Sequence, residues 1–389
     1  MRGLKRPTTR GQGPTVLLSL ICDADDEPAL AARDLANGLG ASGWGSAVAA
    51  PRAVLESGLA EAADSAIAYD GEPAGTLARL TGSGGLGSAL RDCDARLVHA
   101  CDAATVAPAA RAARRAALPM VASLAAAAEW DGEAAPDRLI VPTEAVADAL
   151  VARLPDSAAR VRVVPAGVDP VRFDPSAVAP SRIAALVEQW ELSDATRKIL
   201  VPGRLGSGGG HLGLIRALPR VRPDFACLFV GGIETGSSYL RQVEALLGTS
   251  GLAGRVRLIG PCADMPAAYA LVDLVVVPAS EARPFERAAA EAQAMGKPVI
   301  ITDLGNAADC VLPAVTGWLV PPDSPAELAE AIELALAMPA AVRDRVAARA
   351  RQFALRELNV ARTVRRTLQV YRELLPDAPG LPDGDAPLG

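Results

Sequence analysis

The sequence predicts an α/β fold built from two Rossmann-like, doubly wound domains. Short β-branched runs such as Leu274–Pro278 alternate with alanine-rich segments, which is typical of buried parallel strands joined by helices. The chain has 389 residues, which is too long for one typical domain and suits two. Half of the residues are hydrophobic and only 3% are aromatic, a composition that favours close packing of helices on sheets.

The first domain is predicted to span residues 15–170, after a basic, Gly/Pro-rich tail at residues 1–14 that we expect to be disordered. Its strands are predicted at Thr15–Ile21, Ser46–Ala50, Ala95–Ala100, Pro119–Leu124 and Arg138–Thr143. The glycine-rich run Thr81–Ser88 follows no clear strand. We therefore interpret it as a surface loop rather than a phosphate loop.

The second domain is predicted to span residues 171–354, with a helical segment at 355–375 and a disordered Pro/Gly/Asp-rich tail at 376–389. Its strands include Lys198–Gly203, Leu274–Pro278, Pro298–Asp303 and Gly317–Pro321. A helix is predicted from Pro284 to Gly296. Ligands bind at the carboxyl ends of the strands in an open parallel sheet, so the loops beginning at Ala279, Leu304 and Pro321 are expected to share one ligand face.

Charge and cysteine spacing exclude several classes of function. The net charge is −6 and no basic stripe is interleaved with aromatic residues, which argues against nucleic acid as a partner. No GxGxxG motif follows a strand, no Ser/His/Asp arrangement can be assembled, and no metal site is predicted. The cysteines show no CxxC or CxH spacing, so we interpret them as thiols in a reducing cytoplasm. They are Cys22, Cys93, Cys101, Cys227, Cys262 and Cys310.

Several motifs carry a family resemblance. PFERAAAEAQAMGKPVIITDLGNAADCVLPAVTGWLVPPDSPAELAEAI is similar to the donor-binding half of the retaining GT-B glycosyltransferases of the group 1 and family 4 type, which use nucleotide sugars. The similarity extends upstream through VVPAGVDPVRFDP, LVPGRLGSGGGHLGLIRAL, LFVGG and VRLIGPCADMPAAYALVDLVVVP. These motifs cover about half of the chain in the order expected for the family.

The resemblance implies a GT-B architecture, in which two Rossmann-like domains face each other across a cleft. The first domain would bind the acceptor and the second the nucleotide sugar, and the helix at 355–375 would return to the first domain. The implied reaction transfers a hexose from a nucleoside-diphosphate sugar to a glycan or lipid-linked acceptor. It retains the anomeric configuration and needs neither a metal nor another cofactor. A cytoplasmic protein is expected, with contact at the inner face of the membrane left open.

The resemblance also assigns roles to individual residues. Arg204 matches the arginine that binds the diphosphate, and Glu291 matches the glutamate that holds the ribose hydroxyls. Gly260, Pro261 and Cys262 would line the base. The remaining donor-binding candidates are Gly203, Gly209, Gly210, His211, Phe285, Glu286, Leu304, Gly305 and Asp309.

The chain departs from the family pattern at several of these positions. The diphosphate-binding lysine is replaced by Gly209, the first glutamate by Arg283, and the glycine after the phenylalanine by Glu286. The carboxylate near Gly305 is shortened to Asp309, and the first-domain histidine falls on Ala125 or its neighbours. We interpret Arg283 as a relocated phosphate-binding cation in the active site, which favours an altered or acidic donor sugar, or no turnover. Its alternative is a solvent-facing arginine in a decayed site.

Two histidines and one competing function complete the predictions. His99 ends a strand and would either touch the acceptor or the sugar in the cleft or serve as a satisfied core histidine. His211 stands beside the glycine loop and would either bond the phosphates or lie at the surface. Because motif residues are missing, the competing hypothesis is a catalytically degenerate GT-B protein that binds a nucleotide, glycan or partner enzyme.

Overall fold

The computed structural model describes residues 13–23, 26–71, 85–193, 195–283, 285–304 and 309–378. These residues form two compact units. One comprises the described residues up to Ala166 together with those from Val360 onward, and the other comprises Gly167–Asn359. Each unit contains its own parallel sheet, which confirms the predicted α/β class with two Rossmann-like domains.

The first unit contains a sheet of seven described strands in the order β3-β2-β1-β4-β5-β6-β7. All adjacent strands are parallel. The strands are β1 Thr15–Ser19, β2 Gly45–Ala50, β3 Ser65–Ala68, β4 Ala95–Ala100, β5 Met120–Ser123, β6 Arg138–Val141 and β7 Val161–Val163. Alternate residues of β1 enter two separate cores, with Leu17 on one face and Val16 and Leu18 on the other. The sheet is therefore covered on both faces, as buried parallel strands require.

Helices cover this sheet between the strands. They are α1 Glu27–Ala41, α2 Leu86–Cys93, α3 Ala103–Ala116 and α4 Glu144–Arg153, with shorter helical turns at Arg52–Val54, Leu55–Leu59, Ala60–Ala62, Ala127–Glu129 and Pro155–Ser157. Asp102 caps α3 by accepting the Thr105 amide at 2.9 Å. Thr143 caps α4 in the same way through its hydroxyl. These side chains satisfy amide groups that have no partner within the helix.

The second unit contains a sheet of six described strands in the order β10-β9-β8-β11-β12-β13, again parallel throughout. The strands are β8 Arg197–Pro202, β9 Phe225–Val230, β10 Val256–Gly260, β11 Leu274–Val277, β12 Val299–Thr302 and β13 Gly317–Val320. Val275 and Val277 pack in one core, and Leu274 and Val276 pack in the other. This alternation makes the second sheet doubly wound as well.

The helices of the second unit are α5 Pro180–Gln189, α6 His211–Ala217, α7 Ser238–Thr249, α8 Met265–Leu271, α9 Arg287–Ala294, α10 Pro325–Leu336 and α11 Ala340–Glu357. Single turns lie at Pro175–Ala177, Ser207–Gly209 and Leu218–Arg220. Arg351 of α11 donates to the carbonyls of Phe173 and Ala294 and pairs with Asp174 at 3.1 Å. These bonds hold α11 against the unit that contains α9.

A last helix, α12 Val360–Leu374, belongs to the first unit. Its Glu373 accepts two hydrogen bonds from Arg162 and one from Arg138, and these bonds lower the pKa of Glu373 to about 2. Val364 packs so closely on Gly38 of α1 that a Cβ at Gly38 would lie 2.4 Å from it. Glycine at position 38 therefore lets α1 and α12 approach each other.

Several boundaries in the structure differ from the predicted ones. The chain enters the second unit after Ala166 rather than at 171, and α11 continues through the predicted boundary at 354 to Glu357. Gly13 and Pro14, predicted to lie in the tail, bond to Gly43 and Gly45. In the second predicted tail, residues 376–378 are described, and the Ala378 amide bonds to the Leu375 carbonyl. Residues 1–12 and 379–389 lie outside the described residues. The prediction also omitted β3 and β7, two short strands at the edges of the sheet.

Candidate functional site

The order of the second sheet identifies where a ligand would bind. The strand order reverses between β8 and β11, which are neighbours in the sheet although two strands separate them in sequence. In open α/β sheets, the crevice at the carboxyl ends of such strands is the usual ligand site. The loops that follow β8 and β11 carry Arg204, Gly209, His211 and Arg283. Strand topology therefore brings these predicted site residues to one edge.

Close backbone approaches explain the glycines at this edge. Gly210 has φ +69°, and a Cβ there would lie 1.6 Å from the Pro278 carbonyl oxygen. Gly231, at the end of β9, has φ +157°, and its Cβ would lie 2.0 Å from the Gly203 carbonyl oxygen. Gly203 itself has φ +124° in open space. Gly203 is therefore needed for its positive φ alone. Gly210 and Gly231 are needed for their positive φ and also because a side chain would collide with the neighbouring backbone.

The loops after β8 and β11 are joined by hydrogen bonds. The Ser280 amide donates to the Gly208 carbonyl at 3.0 Å, and the Ser280 hydroxyl donates to the Ser207 carbonyl at 2.9 Å. A Cβ at Gly208 would lie 2.8 Å from Glu281 Oε2. The Glu281 carboxylate therefore rests on the backbone of the glycine loop, which we define as residues 206–210.

Both predicted phosphate-binding arginines are exposed. Arg204 follows β8, next to the glycine loop, and its side chain passes near Gly232. Arg283 has no hydrogen-bond or ion-pair partner within the described part of the chain. Its charge nevertheless helps to lower the pKa of His211, so the two side chains are within electrostatic reach. A guanidinium can bind a phosphate through two parallel hydrogen bonds.

His211 lies beneath the glycine loop rather than at the surface. Only 2% of the residue is exposed, and its ring packs on Phe229 at 5.0 Å and on Tyr239 at 6.2 Å between centroids. Burial lowers the pKa of His211 to about 4, although a hydrogen bond to the backbone of Gly206 raises the pKa in part. The imidazole is therefore neutral at pH 7, and its buried Nδ1 makes no hydrogen bond to any described group.

The His211 ring occupies the space beneath Gly209. A Cβ at Gly209 would lie 2.3 Å from His211 Cε1 and 2.7 Å from Nδ1, both far inside van der Waals contact. A lysine at position 209 would therefore collide with the ring. The buried His211 ring and the glycine that replaces the family lysine therefore depend on each other, because the ring occupies the space that a side chain at position 209 would need.

Helix α9 presents Glu291 from its second turn. Glu291 is half-buried, and Tyr269 donates its hydroxyl to Glu291 Oε2 at 2.9 Å. This bond fixes one carboxylate oxygen. The helix was predicted to run from Pro284 to Gly296, but it begins at Arg287 and ends at Ala294. Pro284 lies outside the described residues, and Glu286, which is buried, occupies the position before the first turn.

The remaining donor-binding candidates lie along the same sheet edge. Gly260 ends β10 with φ +85° and accepts the Gly231 amide at 2.9 Å. Pro261 is exposed and Cys262 half-buried, whereas Phe285 is partly buried against the α9 core. Leu304 is half-buried and Asp309 exposed, at the two sides of a gap that contains Gly305, which lies outside the described residues.

His99 is placed differently from the other candidates. It is buried on β4, with Nδ1 2.6 Å from the Tyr371 hydroxyl and Nε2 2.8 Å from the Ser123 hydroxyl. Burial lowers its pKa to about 3. Both ring nitrogens are engaged, so the observed contacts are those of a satisfied core histidine and leave no nitrogen for an acceptor.

A groove of about 420 Å³ opens beside the glycine loop on the α10 side of the sheet. Its walls include Ser207, Gly210, Ser280, Thr302 and Asp323. The charged candidates Arg204, Arg283 and Glu291 are not part of these walls. The groove is thus a neighbour of the charged edge rather than the same surface.

Two family models match the chain. "Glycosyltransferase Family 4" matches residues 30–172, and "Glycosyl transferases group 1" matches residues 196–338. Together they cover most of the chain, one in each unit. The chain belongs to the GT-B glycosyltransferases.

Curated relatives of this GT-B glycosyltransferase are about a third identical to it over the aligned residues. The D-inositol 3-phosphate glycosyltransferase of Salinispora tropica is 33% identical over 249 residues, or 61% of this chain and 51% of the relative. The enzyme of the same name from Xylanimonas cellulosilytica is 32% identical over 207 residues, or 52% and 49% of the two chains. The chain thus spans about half the length of the curated relatives it matches.

Solved structures agree on the GT-B fold. A glycosyltransferase from Rickettsia africae superposes with a TM-score of 0.83 at 20% identity, covering 94% of this chain and 99% of that one. Anabaena HepE, in complex with UDP and glucose, superposes with a TM-score of 0.79 at 21% identity, covering 92% and 99%. No helix in the described parts of this glycosyltransferase is both long and apolar enough to cross a membrane.

Sequence reasoning missed four residues of this edge. Gly231, Tyr269, Ser280 and Glu281 support the predicted residues through contacts between distant segments. The sequence offered one signal for Gly231, since LFVGG ends a buried strand with a glycine pair. Tyr269, Ser280 and Glu281 carry no pattern that distinguishes them from other helix and loop residues.

Proposed function

We propose that this protein transfers a hexose from a nucleoside-diphosphate sugar to a glycan or lipid-linked acceptor. The observation that carries the proposal is the edge of the second sheet where the strand order reverses between β8 and β11, which we call the switch-point edge. The glycine loop, the two exposed arginines and Glu291 all follow these two neighbouring strands. Anabaena HepE, which has the same fold, has been solved with UDP and with UDP-glucose. That likeness supports a nucleotide sugar as the donor.

The arginines would act on the diphosphate. When the bond between the sugar C1 and the diphosphate oxygen breaks, negative charge develops on the leaving group. Arg204 and Arg283 would stabilise that charge without a metal, because a guanidinium donates paired hydrogen bonds to phosphate oxygens. The acceptor oxygen bonds to C1 on the face the diphosphate leaves, which retains the configuration, and its proton passes to the departing phosphate.

Glu291 would hold the nucleoside. A carboxylate only accepts hydrogen bonds, and the ribose offers two vicinal hydroxyls as donors. Tyr269 orients the carboxylate through Oε2 at 2.9 Å. This fixed geometry would let the hydroxyls bind without first ordering the side chain.

We further propose that the reaction takes place in the cytoplasm, with the protein reaching lipid-linked acceptors at the inner face of the membrane. The cysteines in the described residues are all free thiols, which supports a reducing compartment. The curated relatives are named for D-inositol 3-phosphate, so that compound belongs in an acceptor panel beside glycans and lipid-linked sugars.

Titration calorimetry with UDP, GDP and ADP tests the donor site. We expect one of these nucleotides to bind, and Glu291→Gln to weaken its binding by about 1–3 kcal/mol, the range for losing a hydrogen bond to a charged group. Glu244→Gln is the matched control, because Glu244 is an exposed glutamate on the outer helix α7. Equal affinities in the two variants would remove the ribose assignment.

Nucleotide binding without transfer is the second candidate function. It is favoured by Gly209, since the His211 ring excludes a lysine from the phosphate edge. Release of the nucleoside diphosphate from a panel of donors, measured with and without acceptors, separates the two candidates. Acceptor-dependent release supports transfer, whereas binding with no release from any donor supports the non-catalytic function.

A further inference from the structure

Glu281 is an unassigned carboxylate at the switch-point edge. It follows Ser280, whose amide and hydroxyl are both bonded to the glycine loop. A Cβ at Gly208 would lie 2.8 Å from Glu281 Oε2 and 3.1 Å from its Cδ. The absence of a side chain at Gly208 is thus what allows the carboxylate to rest on the loop.

Among the described residues, the Glu281 carboxylate has no structural partner. It is exposed, and it makes no hydrogen bond or ion pair within the described residues. It caps no described helix. Its contact with the glycine loop nevertheless brings a negative charge to the edge where a diphosphate would bind. Such a charge repels phosphate, whereas a carboxylate at this position can accept hydrogen bonds from a ligand group that donates them.

We propose that Glu281 accepts hydrogen bonds from the hydroxyl groups of the donor sugar, while Arg283, two residues later, binds the diphosphate. This inference rests on the proposed function. The two side chains would bind different parts of one ligand, because a carboxylate accepts hydrogen bonds from hydroxyls and a guanidinium donates hydrogen bonds to phosphate oxygens. The sugar is then neutral and rich in hydroxyls. This differs from the acidic sugar that Arg283 alone predicts.

The test compares each nucleotide with its sugar conjugate by calorimetry: UDP with UDP-glucose, GDP with GDP-mannose, and ADP with ADP-glucose. We expect Glu281→Gln to lower the affinity for the nucleotide sugar by about tenfold relative to the affinity for the free nucleotide. This is the effect of losing a charge-assisted hydrogen bond. The affinity for the free nucleotide should stay equal or rise. Glu244→Gln is again the matched control for charge.

Gly208→Ala provides a second variant that keeps the charge. Its added methyl group would displace the Glu281 carboxylate, and the same selective loss of sugar affinity is expected. If both variants leave the ratio of nucleotide-sugar to nucleotide affinity unchanged in a parent that binds, Glu281 does not contact the sugar and only this inference fails. A parent that binds none of the six compounds overturns the proposed function as well.

Discussion

Replacing Gly209 by lysine tests whether His211 excludes the family's phosphate-binding side chain. In Gly209→Lys, the new Cβ would lie 2.3 Å from a ring that is 2% exposed and packed on Phe229 and Tyr239. The ring cannot move without disturbing that cluster. Overpacking of this kind costs about 1–3 kcal/mol. We expect Gly209→Lys to lose that amount of unfolding free energy and to gain no affinity for UDP.

Removing the ring should release the lysine. In the double variant Gly209→Lys/His211→Ala, the ammonium group can reach the diphosphate, and a charged hydrogen bond contributes about 1.5–3 kcal/mol. We therefore expect affinity for UDP at least about tenfold higher than in His211→Ala alone. Urea unfolding and calorimetry on the parent, the two single variants and the double variant give the coupling energy directly.

Gly206→Lys is the matched control, because a Cβ at Gly206 meets no atom within 4 Å. It places the same charge on the same loop without touching His211, so its stability should stay within about 0.5 kcal/mol of the parent. Steric exclusion by His211 is refuted if Gly209→Lys is as stable as Gly206→Lys and binds UDP as tightly as the double variant.

Two further predictions concern the buried histidines. Tyr371→Phe leaves His99 Nδ1 without its partner, so unfolding free energy should fall by about 1–3 kcal/mol; an unchanged melting temperature would show that the bond contributes nothing. The folded pKa values of His99 and His211 are about 3 and about 4, below the value of 6.5 for the unfolded chain. The unfolding free energy should therefore be independent of these two histidines above pH 6.5. Each histidine should lower it by about 1.4 kcal/mol per pH unit as the pH drops from 6.5 towards its folded pKa. A melting temperature that stays constant from pH 7.5 to 5 would contradict this prediction.

The sequence predicted buried strands well because both sides of a parallel strand face a core. The run Leu274–Pro278 became β11 with its last residue removed, and Pro298–Asp303 became β12 with one residue removed from each end. The strands β3 and β7 escaped prediction because they are short and half-exposed at the sheet edges, where no apolar run is required.

The side-chain contacts of the site could not be predicted in the same way. The bond between Ser280 and Ser207 joins residues 73 positions apart, and the bond between His99 and Tyr371 joins residues 272 apart. No local pattern in the sequence encodes such pairs. The burial of His211 was missed for the same reason, since its neighbours Phe229 and Tyr239 come from later segments of the chain.

The charges at the glycine loop determine which ligand this edge can hold. His211 is neutral at pH 7 because it is buried and because Arg283 adds a like charge nearby. In the proposed function, the positive charge that faces a diphosphate would come from Arg204 and Arg283. The carboxylate of Glu281 would partly cancel that charge, and a free nucleotide would gain no hydrogen bond from it. If Glu281 contacts the donor sugar as proposed, the hydroxyls of a sugar attached to the diphosphate would donate hydrogen bonds to this carboxylate. The arrangement would then favour binding of the intact nucleotide sugar over binding of the nucleotide that remains after transfer.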